Sequence, residues 1–341
     1  MSTTPLTLSF AGQQPPIALP QVPGTRGPVG VDMRGLNQSG FCSYDPGFAN
    51  TAGCQSAISW IDTENSVLLH RGYPVDQLAR QCDFLEVAYI MLNGDAPDEA
   101  SYQTFRETIT RHTLVHEQIA RMCSGFRRDS HPMALMCALV GALAAFYHDV
   151  LDVENPQHRA LAATRLLSKM PTIAAMSYKY TIEQPAAYPR NDLSYAGNFL
   201  QMLFAIPAEK YVLNPVIEQA MNQILVLHAD HGQCASTTTV RAAGSSGANL
   251  FACVAAGLAS LWGPMHGGAN ESSMRMLEEI ESVDQVPAFL RQAKRDPQAF
   301  RRLGFGNSRY RHRDPRADIL RETSHRVLAE VGDRKSVCRE R

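Results

Sequence analysis

The chain has 341 residues, which is long enough for one large domain or two smaller ones. Hydrophobic residues make up 45% and charged residues 19%, as is ordinary for a soluble globular protein. The formal net charge of −1 creates no overall field that favours nucleic acid or an anionic membrane, so an anion site needs a local cluster of basic residues.

The N-terminal region has the composition of strands and turns. Residues 1–40 are rich in proline, glycine and glutamine, which predicts short strands or irregular structure. Residues 57–72, AISWIDTENSVLLHRG, place apolar and β-branched residues on both sides of the polar tip DTEN. This pattern predicts a β-hairpin.

Helical periodicity begins near residue 76 and continues through most of the chain. The longest apolar run, from Ala134 to Tyr147, is about 14 residues long. A helix that spans a bilayer needs about 18–20 residues, so we predict a buried core helix here. Ser130 is a candidate N-cap for this helix, with Pro132 in its first turn.

A second helix is predicted to begin after Asn214, its candidate N-cap, with Pro215 next in the chain. Its inner face, at steps of four, three, four and three, consists of Ile217, Met221, Ile224, His228 and His231. His228, His231 and Cys234 share one helical face and admit a metal site, but no second pair of ligands has matching spacing. A ligand-binding histidine at the helix end fits better, and a purely structural pair of histidines is the alternative.

The segment WGPMHGGANE, residues 262–271, surrounds a single histidine with glycines that allow close backbone approach to a ligand. A predicted helix rich in alanine and glycine, NLFACVAAGLASLW, precedes it, and its small residues let helices approach closely. A further helix with Asn270 as candidate cap follows, so His266 is predicted to lie in a tight link beside a helix N-terminus. The positive end of that helix disfavours an imidazolium, and a neutral histidine can donate to a carbonyl oxygen and stabilise an enolate. A turn with a buried structural histidine is the alternative.

A cluster of arginines accompanies the glycine bend of RRLGFGNSRYRHRDPRADIL, residues 301–320. Its members are Arg301, Arg302, Arg309, Arg311, Arg313 and Arg316. Guanidinium groups match carboxylates and phosphates, so the cluster predicts a carboxylate substrate or a phosphate-bearing cofactor. A solvated basic face is the alternative for most of these residues. A nucleic-acid patch is disfavoured, because only Tyr310 offers an aromatic ring and the whole chain is not basic.

Three motifs in this order resemble those of citrate synthases: LHADHGQCASTTTVRAAGSSGAN, ASLWGPMHGGANE, and GFG followed by DPRA. The stretches LLHRGYPVDQLA, FRRDSHPMALMCALVGALAAFYHD and YPRNDLSYAGNFL are similar to the large citrate synthases of Gram-negative bacteria. The resemblance covers roughly residues 40–330. It implies a mainly α-helical citrate synthase fold, with a large helical domain, a smaller helical domain and substrate in the cleft between them.

On that basis we expect three parts of the chain. Residues 1–75 would form an N-terminal segment with short β-strands, residues 76–278 a large helical domain, and residues 279–341 a partial small domain.

The resemblance also implies a reaction. Acetyl-CoA, oxaloacetate and water would give citrate and CoA by a Claisen-type condensation, the first step of the tricarboxylic acid cycle, without a metal or redox cofactor. His266 matches the histidine that hydrogen bonds the thioester oxygen of the enolised acetyl group. His231 matches a histidine that contacts oxaloacetate, and Arg316 an arginine that pairs with an oxaloacetate carboxylate. The part of the CoA-binding loop that matches is Gly304, Phe305 and Gly306.

Members of the same Gram-negative group are often inhibited by NADH at a site away from the cleft. Six residues fit the pattern of that group: Arg111, His112, Thr113, Tyr147, Arg165 and Lys169. We therefore expect NADH as an allosteric inhibitor, and an ordinary polar helix surface is the alternative.

The chain departs from the family pattern at two motif positions. The family reads GFGH where this chain reads GFGN, so Asn307 stands where a histidine polarises the oxaloacetate carbonyl. Asparagine can donate a hydrogen bond but is shorter and carries no charge. Gly232 replaces the acidic residue of HADHE and is expected to loosen the helix end.

The C-terminal part departs further. The family general base is an aspartate on a later segment, and nothing after Arg316 resembles that segment. The final VGDRKSVCRER is charged and lacks the expected apolar continuation. We therefore expect a truncated chain with a tail foreign to the family, and with weak or no condensation activity.

Other functions remain open at this point. A 2-methylcitrate synthase would use propionyl-CoA with the same motifs, and a non-catalytic homologue would bind CoA or a nucleotide. An RNA-binding protein that uses the arginines of residues 301–316 is the least favoured. The expected partners are acetyl-CoA and oxaloacetate together with further copies of the chain in a dimer or hexamer, and neither nucleic acid nor a membrane.

Cysteine usage and the N-terminus favour a cytoplasmic protein. The chain has eight cysteines, none of them in a CxxC pair, and several lie in apolar stretches where a free thiol behaves as a small hydrophobe. This favours a reduced compartment over a disulfide framework. No basic residue precedes Arg26 and the first residues have no continuous apolar core, so neither a secretory signal nor an Arg-rich transit peptide is predicted.

Overall fold

The structure, a computed structural model, describes residues 4–10, 15–46, 48, 50–280, 282–296 and 310–332. Within these residues the fold is mainly α-helical, and the strands lie in the N-terminal region. Both features confirm the fold class expected from the sequence.

The described strands are short and form three small antiparallel sheets. They are β1 (Leu6–Leu8), β2 (Ile17–Leu19), β3 (Gln21–Val22), β4 (Gly30–Val31), β5 (Ser59–Asp62), β6 (Val67–His70) and β7 (Tyr73–Pro74). The predicted hairpin is confirmed, because β5 and β6 pair with Asp62 opposite Val67 beside the polar tip. The carboxylate of Asp62 closes the tip by accepting the backbone N–H groups of Glu64 and Asn65.

Helices occupy most of the described chain after residue 74. The first six are α1 (Val75–Gln81), α2 (Phe84–Asn93), α3 (Glu99–Arg111), α4 (Glu117–Met122), α5 (Pro132–Phe146) and α6 (Pro156–Thr181). The others are α7 (Tyr195–Phe204), α8 (Pro215–Leu227), α9 (Ala235–Gly244), α10 (Leu250–Leu261), α11 (Gly268–Glu279), α12 (Val286–Arg295) and α13 (Arg316–Val331).

The ends of these helices confirm one predicted cap and correct two. Asn214 caps α8 as predicted, with its side-chain oxygen accepting two backbone N–H groups of the first turn. The cap of α5 is His131 rather than Ser130, because its ring nitrogen captures the N–H of Met133, the first donor after Pro132. Helix α11 begins two residues before Asn270, because the turn ahead of it continues directly into helical hydrogen bonds.

The apolar run of α5 forms the centre of the main hydrophobic cluster, as predicted. Leu135, Leu139 and Leu143 are fully buried. They pack in one cluster with Ile173 of α6 and Phe251 of α10. In the part of the chain that the structure describes, no helix combines the length and the apolar composition that a membrane crossing requires.

Helices α9 and α10 approach closely at a glycine, as the small residues of α10 predict. A Cβ at Gly257 would lie 2.5 Å from a methyl group of Val240, closer than real Cβ contacts allow. Glycine at this position therefore sets the distance between the two helices.

The inner face predicted for α8 is wrong. Its buried residues are Ala220, Gln223, Val226 and Leu227, while Ile224 is 39% exposed. The helix also ends at Leu227, so the two histidines of the predicted stripe do not continue its face. The prediction from apolar periodicity failed because the buried face of α8 includes a polar side chain.

Gln223 is that polar side chain, and hydrogen bonds from two other helices stabilise it in the interior. Its amide donates to the carbonyl of Ala79 on α1 and its oxygen accepts the hydroxyl of Thr323 on α13. Ile319 of α13 joins the apolar cluster of α1, α2, α8 and β6. The C-terminal helix is therefore part of the folded body.

Candidate active site

His266 lies in the turn between α10 and α11, as predicted. Its N–H donates to the carbonyl of Gly263, and its own carbonyl accepts the N–H of Ala269 in the first turn of α11. Its ring Nε2 lies 2.9 Å from the hydroxyl of Ser236 on α9. Among the described residues no partner for Nδ1 is found, so this nitrogen can hydrogen bond a ligand.

The two glycines after His266 are required by the turn itself. A Cβ at Gly267 would lie 2.6 Å from the carbonyl oxygen of Leu261, and one at Gly268 would lie 2.8 Å from that of Trp262. Backbone atoms cannot swing aside as the end of a flexible side chain can. The turn therefore folds back on the end of α10 only with glycine at both positions.

His131 holds this turn from the side of α5. Its ring stacks on Trp262 just before the turn, at 5.1 Å between centroids. Its Nδ1 accepts the N–H of Met133, so Nε2 carries the proton and donates to Glu271 just after the turn, at 3.1 Å. The hydrogen bond from His131 and the charge of Arg275 lower the pKa of Glu271 and keep it an acceptor.

Sequence reasoning missed both His131 and Ser236. Each acts through a partner far away along the chain, at separations of 140 and 30 residues. The only signal for His131 was its place in the HPM sequence at the start of an apolar helix, where Ser130 offered a more usual cap.

A second group of side chains contains His231 and Arg316. His231 Nε2 lies 2.9 Å from the hydroxyl of Tyr310. Arg316, in the first turn of α13, forms a bidentate pair with Asp314 at 3.0 and 2.7 Å. Burial raises the pKa of Asp314, but hydrogen bonds from Arg316 and the charges of Arg316 and His231 outweigh burial and lower that pKa. The pair is largely shielded, with side chains 17% and 19% exposed.

His70, at the end of β6, is a buried histidine near this group that sequence reasoning did not identify. Its Nδ1 lies 2.9 Å from the hydroxyl of Ser59, and its buried Nε2 has no hydrogen-bond partner within the described part of the chain. Burial lowers the pKa of His70, with Asp230 opposing and Arg316 adding to the effect. The ring is therefore a neutral neighbour of the His231 and Arg316 group.

The link between α8 and α9 connects the two groups of side chains. His231 in this link contacts Tyr310, and Ser236 in the first turn of α9 contacts His266. Five residues span at most about 18 Å, so the Cα atoms of His231 and Ser236 lie within that distance of each other. Gly232 adopts a φ of 73° within the link, a conformation that favours glycine. Because α8 has already ended at Leu227, Gly232 shapes this link and does not loosen the helix end.

The three residues considered as metal ligands make separate contacts. His228 binds the carbonyl of Ile224 in its own helix, His231 faces Tyr310, and the thiol of Cys234 lies against α9 hydroxyls. No group of three or more described His, Cys, Asp or Glu residues is arranged to hold a metal ion. The seven cysteines within the described ranges are all free thiols.

The described arginines of the predicted cluster face different carboxylates. Arg311 pairs with Glu64 at 2.6 Å, Arg313 with Asp318, and Arg316 with Asp314. The other residues predicted in this stretch lie outside the described residues: Arg301, Arg302, Gly304, Phe305, Gly306, Asn307 and Arg309.

Five of the six residues predicted to bind NADH are brought together near the end of α3. Lys169 of α6 donates to the carbonyls of His112 and Leu114, at 2.6 and 2.5 Å. The ring of Tyr147 lies under both Arg165 and Lys169, at 4.5 and 5.1 Å from its centroid. Burial, with help from the Arg165 charge, lowers the pKa of Lys169 to about 8.

The other two members of this set differ in their surroundings. The carbonyl of Thr113 accepts the hydroxyl of Thr172 on α6, which ties it to the same cluster. Arg111 instead pairs with Glu107 in its own helix, and its side chain is 75% exposed. The structure therefore groups Thr113 with the cluster and leaves Arg111 at its edge.

Comparison with known proteins decides the family. Residues 47–339 match the family model for the citrate synthase C-terminal domain. The chain belongs to the citrate synthase family. A citrate synthase from Pyrobaculum aerophilum is 31% identical with a TM-score of 0.76, and the match covers 84% of this chain and 72% of that one.

Two further citrate synthase structures agree. The enzyme from Thermotoga maritima MSB8 is 28% identical with a TM-score of 0.69, over 84% of this chain and 73% of that one. The enzyme from Thermoplasma acidophilum, in a ternary complex with carboxymethyl coenzyme A and oxaloacetate, is 26% identical with a TM-score of 0.76. That match covers 84% of this chain and 74% of the Thermoplasma chain.

Proposed function

We propose that this protein condenses acetyl-CoA with oxaloacetate and water to give citrate and CoA. The observation that carries the proposal is the His266 ring in the glycine turn of a citrate synthase fold. Ser236 contacts its Nε2, and no described residue contacts its Nδ1. The complex of the Thermoplasma relative with a CoA derivative and oxaloacetate supports both substrates.

The proposed role of His266 follows from the chemistry of thioesters. The α-proton of a thioester is weakly acidic, so the enolate needs a donor that is already aimed at its oxygen. Nδ1–H of a neutral His266 is such a donor. Because nothing after Arg316 resembles the segment that carries the family's general base, solvent water takes the α-proton and turnover is expected to be slow. The enolate carbon then attacks the oxaloacetate carbonyl, whose oxygen takes up a proton, and water adds to the thioester carbonyl and releases CoA as the thiol.

The proposed role of Arg316 is to bind a carboxylate of oxaloacetate. Asp314 faces the Nε and Nη2 atoms of Arg316 and keeps the guanidinium plane oriented. A guanidinium has five N–H donors, so the edge turned away from Asp314 can bind a second carboxylate. The proposed role of His231 is a hydrogen bond to the same substrate, from a ring that Tyr310 orients.

The motif positions outside the described residues complete the proposal. Asn307 would face the oxaloacetate carbonyl with its amide N–H groups, and the loop of Gly304, Phe305 and Gly306 would hold CoA. The support for these roles is the sequence motif alone.

A thiol-release assay with acetyl-CoA and oxaloacetate tests the proposal. His266→Ala should lower kcat at least 10²-fold, about the loss found when one oxyanion donor is removed. His228→Ala is the matched control, because that ring is exposed and contacts the carbonyl of Ile224 in its own helix, and it should keep the wild-type rate. Equal rates for the two variants would refute the role of His266.

The same assay separates the alternative functions. A higher kcat/KM with propionyl-CoA than with acetyl-CoA would identify a 2-methylcitrate synthase. Binding of both substrates by calorimetry without any thiol release would identify a non-catalytic CoA-binding homologue.

We also propose that NADH binds at the cluster of Lys169, Arg165 and Tyr147. Arg165 and Lys169 bring two cations to the Tyr147 ring, with Arg165 also paired to Asp149 and Lys169 buried, so their charge would act on a diphosphate at the rim of this cluster. NADH fluorescence should be enhanced on binding to the wild type, and Lys169→Met should lose this enhancement. Lys210→Met, at an exposed lysine, is the control. Saturable NADH binding that both variants retain would refute this site.

A further inference from the structure

A continuous chain of hydrogen-bonding side chains ends at the His266 ring. The thiol of Cys234, the N-cap residue of α9, lies 3.1 Å from the hydroxyl of Ser236 and 3.2 Å from that of Thr237. The Ser236 hydroxyl in turn lies 2.9 Å from Nε2 of His266. Four side chains are therefore connected, and each of the three inner contacts needs one proton.

The chain can run in either of two directions, and each direction places the proton of His266 on a different ring nitrogen. Ser236 has a single hydroxyl proton, which can point to the ring or to the sulfur, but not to both. If Thr237 donates to the sulfur and the thiol donates to Ser236, the Ser236 proton must point to Nε2. Nε2 then acts as an acceptor, and the proton of a neutral ring lies on Nδ1.

The opposite direction gives the opposite tautomer. If the group at position 234 only accepts, the Ser236 proton turns towards it and the Ser236 oxygen accepts from Nε2–H. Nδ1 then has only a lone pair, which repels the thioester oxygen. One proton at position 234 therefore decides whether His266 can act as a donor.

We propose that Cys234 is a positioning residue, which acts through Ser236 to keep the proton of His266 on Nδ1. This inference rests on the proposed function, because the tautomer matters for catalysis only if Nδ1–H donates to the acyl oxygen. The tautomer itself is a property of the free protein and can be measured without any reaction.

The thiol lies among polar neighbours, and loss of its proton would leave an acceptor that draws the Ser236 proton away from His266. Burial raises the pKa of Cys234, but the hydroxyls of Ser236 and Thr237 and the amides of the first turn outweigh burial and lower that pKa. The sulfur therefore interacts with polar groups rather than behaving as a small apolar side chain, in contrast to the buried Cys123, whose pKa is raised by burial.

The decisive measurement is the tautomer of His266 by ¹⁵N NMR of protein labelled at its histidines. The His266 signals are assigned by their loss in His266→Gln, and spectra are recorded above the measured titration of the ring. The wild type and Cys234→Ser, which both offer a donor, should carry the proton on Nδ1. Cys234→Asp, which only accepts, should carry it on Nε2. Cys42→Asp, at an exposed cysteine, controls for the added charge and should match the wild type.

An unchanged Nδ1–H tautomer in folded Cys234→Asp would overturn the inference. If circular dichroism shows that this variant does not fold, Cys234→Ala carries the test. Without a donor at position 234 a measurable share of the ring should move to Nε2–H, and identity of Cys234→Ala with Cys234→Ser would also overturn the inference.

Thiol release then separates this inference from the proposed function. Cys234→Asp should lower kcat at least about tenfold, a part of the 10²–10³ lost with a whole oxyanion donor, while KM for oxaloacetate stays within about twofold. A shifted tautomer in a protein with no thiol release would retain the inference and refute the proposed function. A shifted tautomer with unchanged kcat would overturn the catalytic part of the inference.

Discussion

Gly268→Ala tests whether the turn that holds His266 has room for a side chain at position 268. The new Cβ would lie 2.8 Å from the carbonyl oxygen of Trp262 and 2.9 Å from that of Gly263. Ordinary contact begins at 3.4 Å, so the turn must open by about 0.6 Å. Neither oxygen can rotate away, because both belong to the backbone. Overpacking of this kind costs about 1–3 kcal/mol of stability.

The same displacement reaches the His266 ring, because Gly268 and His266 both donate to the carbonyl of Gly263. A shift of 0.6 Å would stretch the contact with Ser236 from 2.9 Å to about 3.5 Å, at the outer edge of hydrogen bonding. Since a misplacement of 1 Å can cost 10²-fold, we expect kcat to fall about 10- to 100-fold.

Urea unfolding and thiol release measure the two effects on the same preparation. Gly125→Ala is the matched control, because its Cβ would meet nothing within 4 Å. The reasoning is refuted if Gly268→Ala and Gly125→Ala show the same free energy of unfolding and the same kcat.

Three further predictions concern stability and pH. Asp314→Asn should lower the free energy of unfolding by about 1–2 kcal/mol at pH 7, because it leaves the shielded Arg316 without its carboxylate. The lowered pKa of Asp314 means that this stability is present above the unfolded pKa of about 3.9 and is lost as pH falls through the folded pKa. The difference in Tm should therefore shrink below pH 4, and a constant difference would contradict the assignment. Leu139→Ala should lower the free energy of unfolding in urea by about 2–5 kcal/mol, whereas Leu92→Ala, at a side chain 54% exposed, should lower it by less than about 1 kcal/mol. Similar losses for the two variants would exclude α5 as the core. NADH affinity should weaken as pH rises through about 8, because the diphosphate interacts with protonated Lys169. Fluorescence titrations that give the same affinity below and above pH 8 would disprove that contact.

The elements with strong local patterns were predictable. The hairpin of β5 and β6 follows from alternating residues around a polar tip, and α5 from an apolar run that begins after a proline. The placement of His266 between two helices follows from glycines that end one helix and precede the next. Each of these signals lies within a few neighbouring residues, where period and turn chemistry act directly.

The local details that failed were decided by hydrogen bonds to distant partners. The buried face of α8 differs from the predicted one because Gln223 forms hydrogen bonds with α1 and α13. Apolar periodicity does not detect such polar contacts. His131 replaced Ser130 as the α5 cap while its ring also reached Trp262 and Glu271. Propensity ranks serine above histidine at a cap, and tertiary contacts overrode it.

The amino-acid sequence alone determined the mainly helical class, the order of the motifs and the identity of the histidine in the glycine turn. Tertiary structure alone decided which side chain meets Nε2 of that histidine, Ser236, and which hydroxyl meets His231, that of Tyr310. The physical reason is the range of the interactions. Helix periods and turns depend on neighbours in the chain, whereas the protonation and aim of a side chain depend on atoms within about 3 Å in space, which the fold brings from 30 or more residues away.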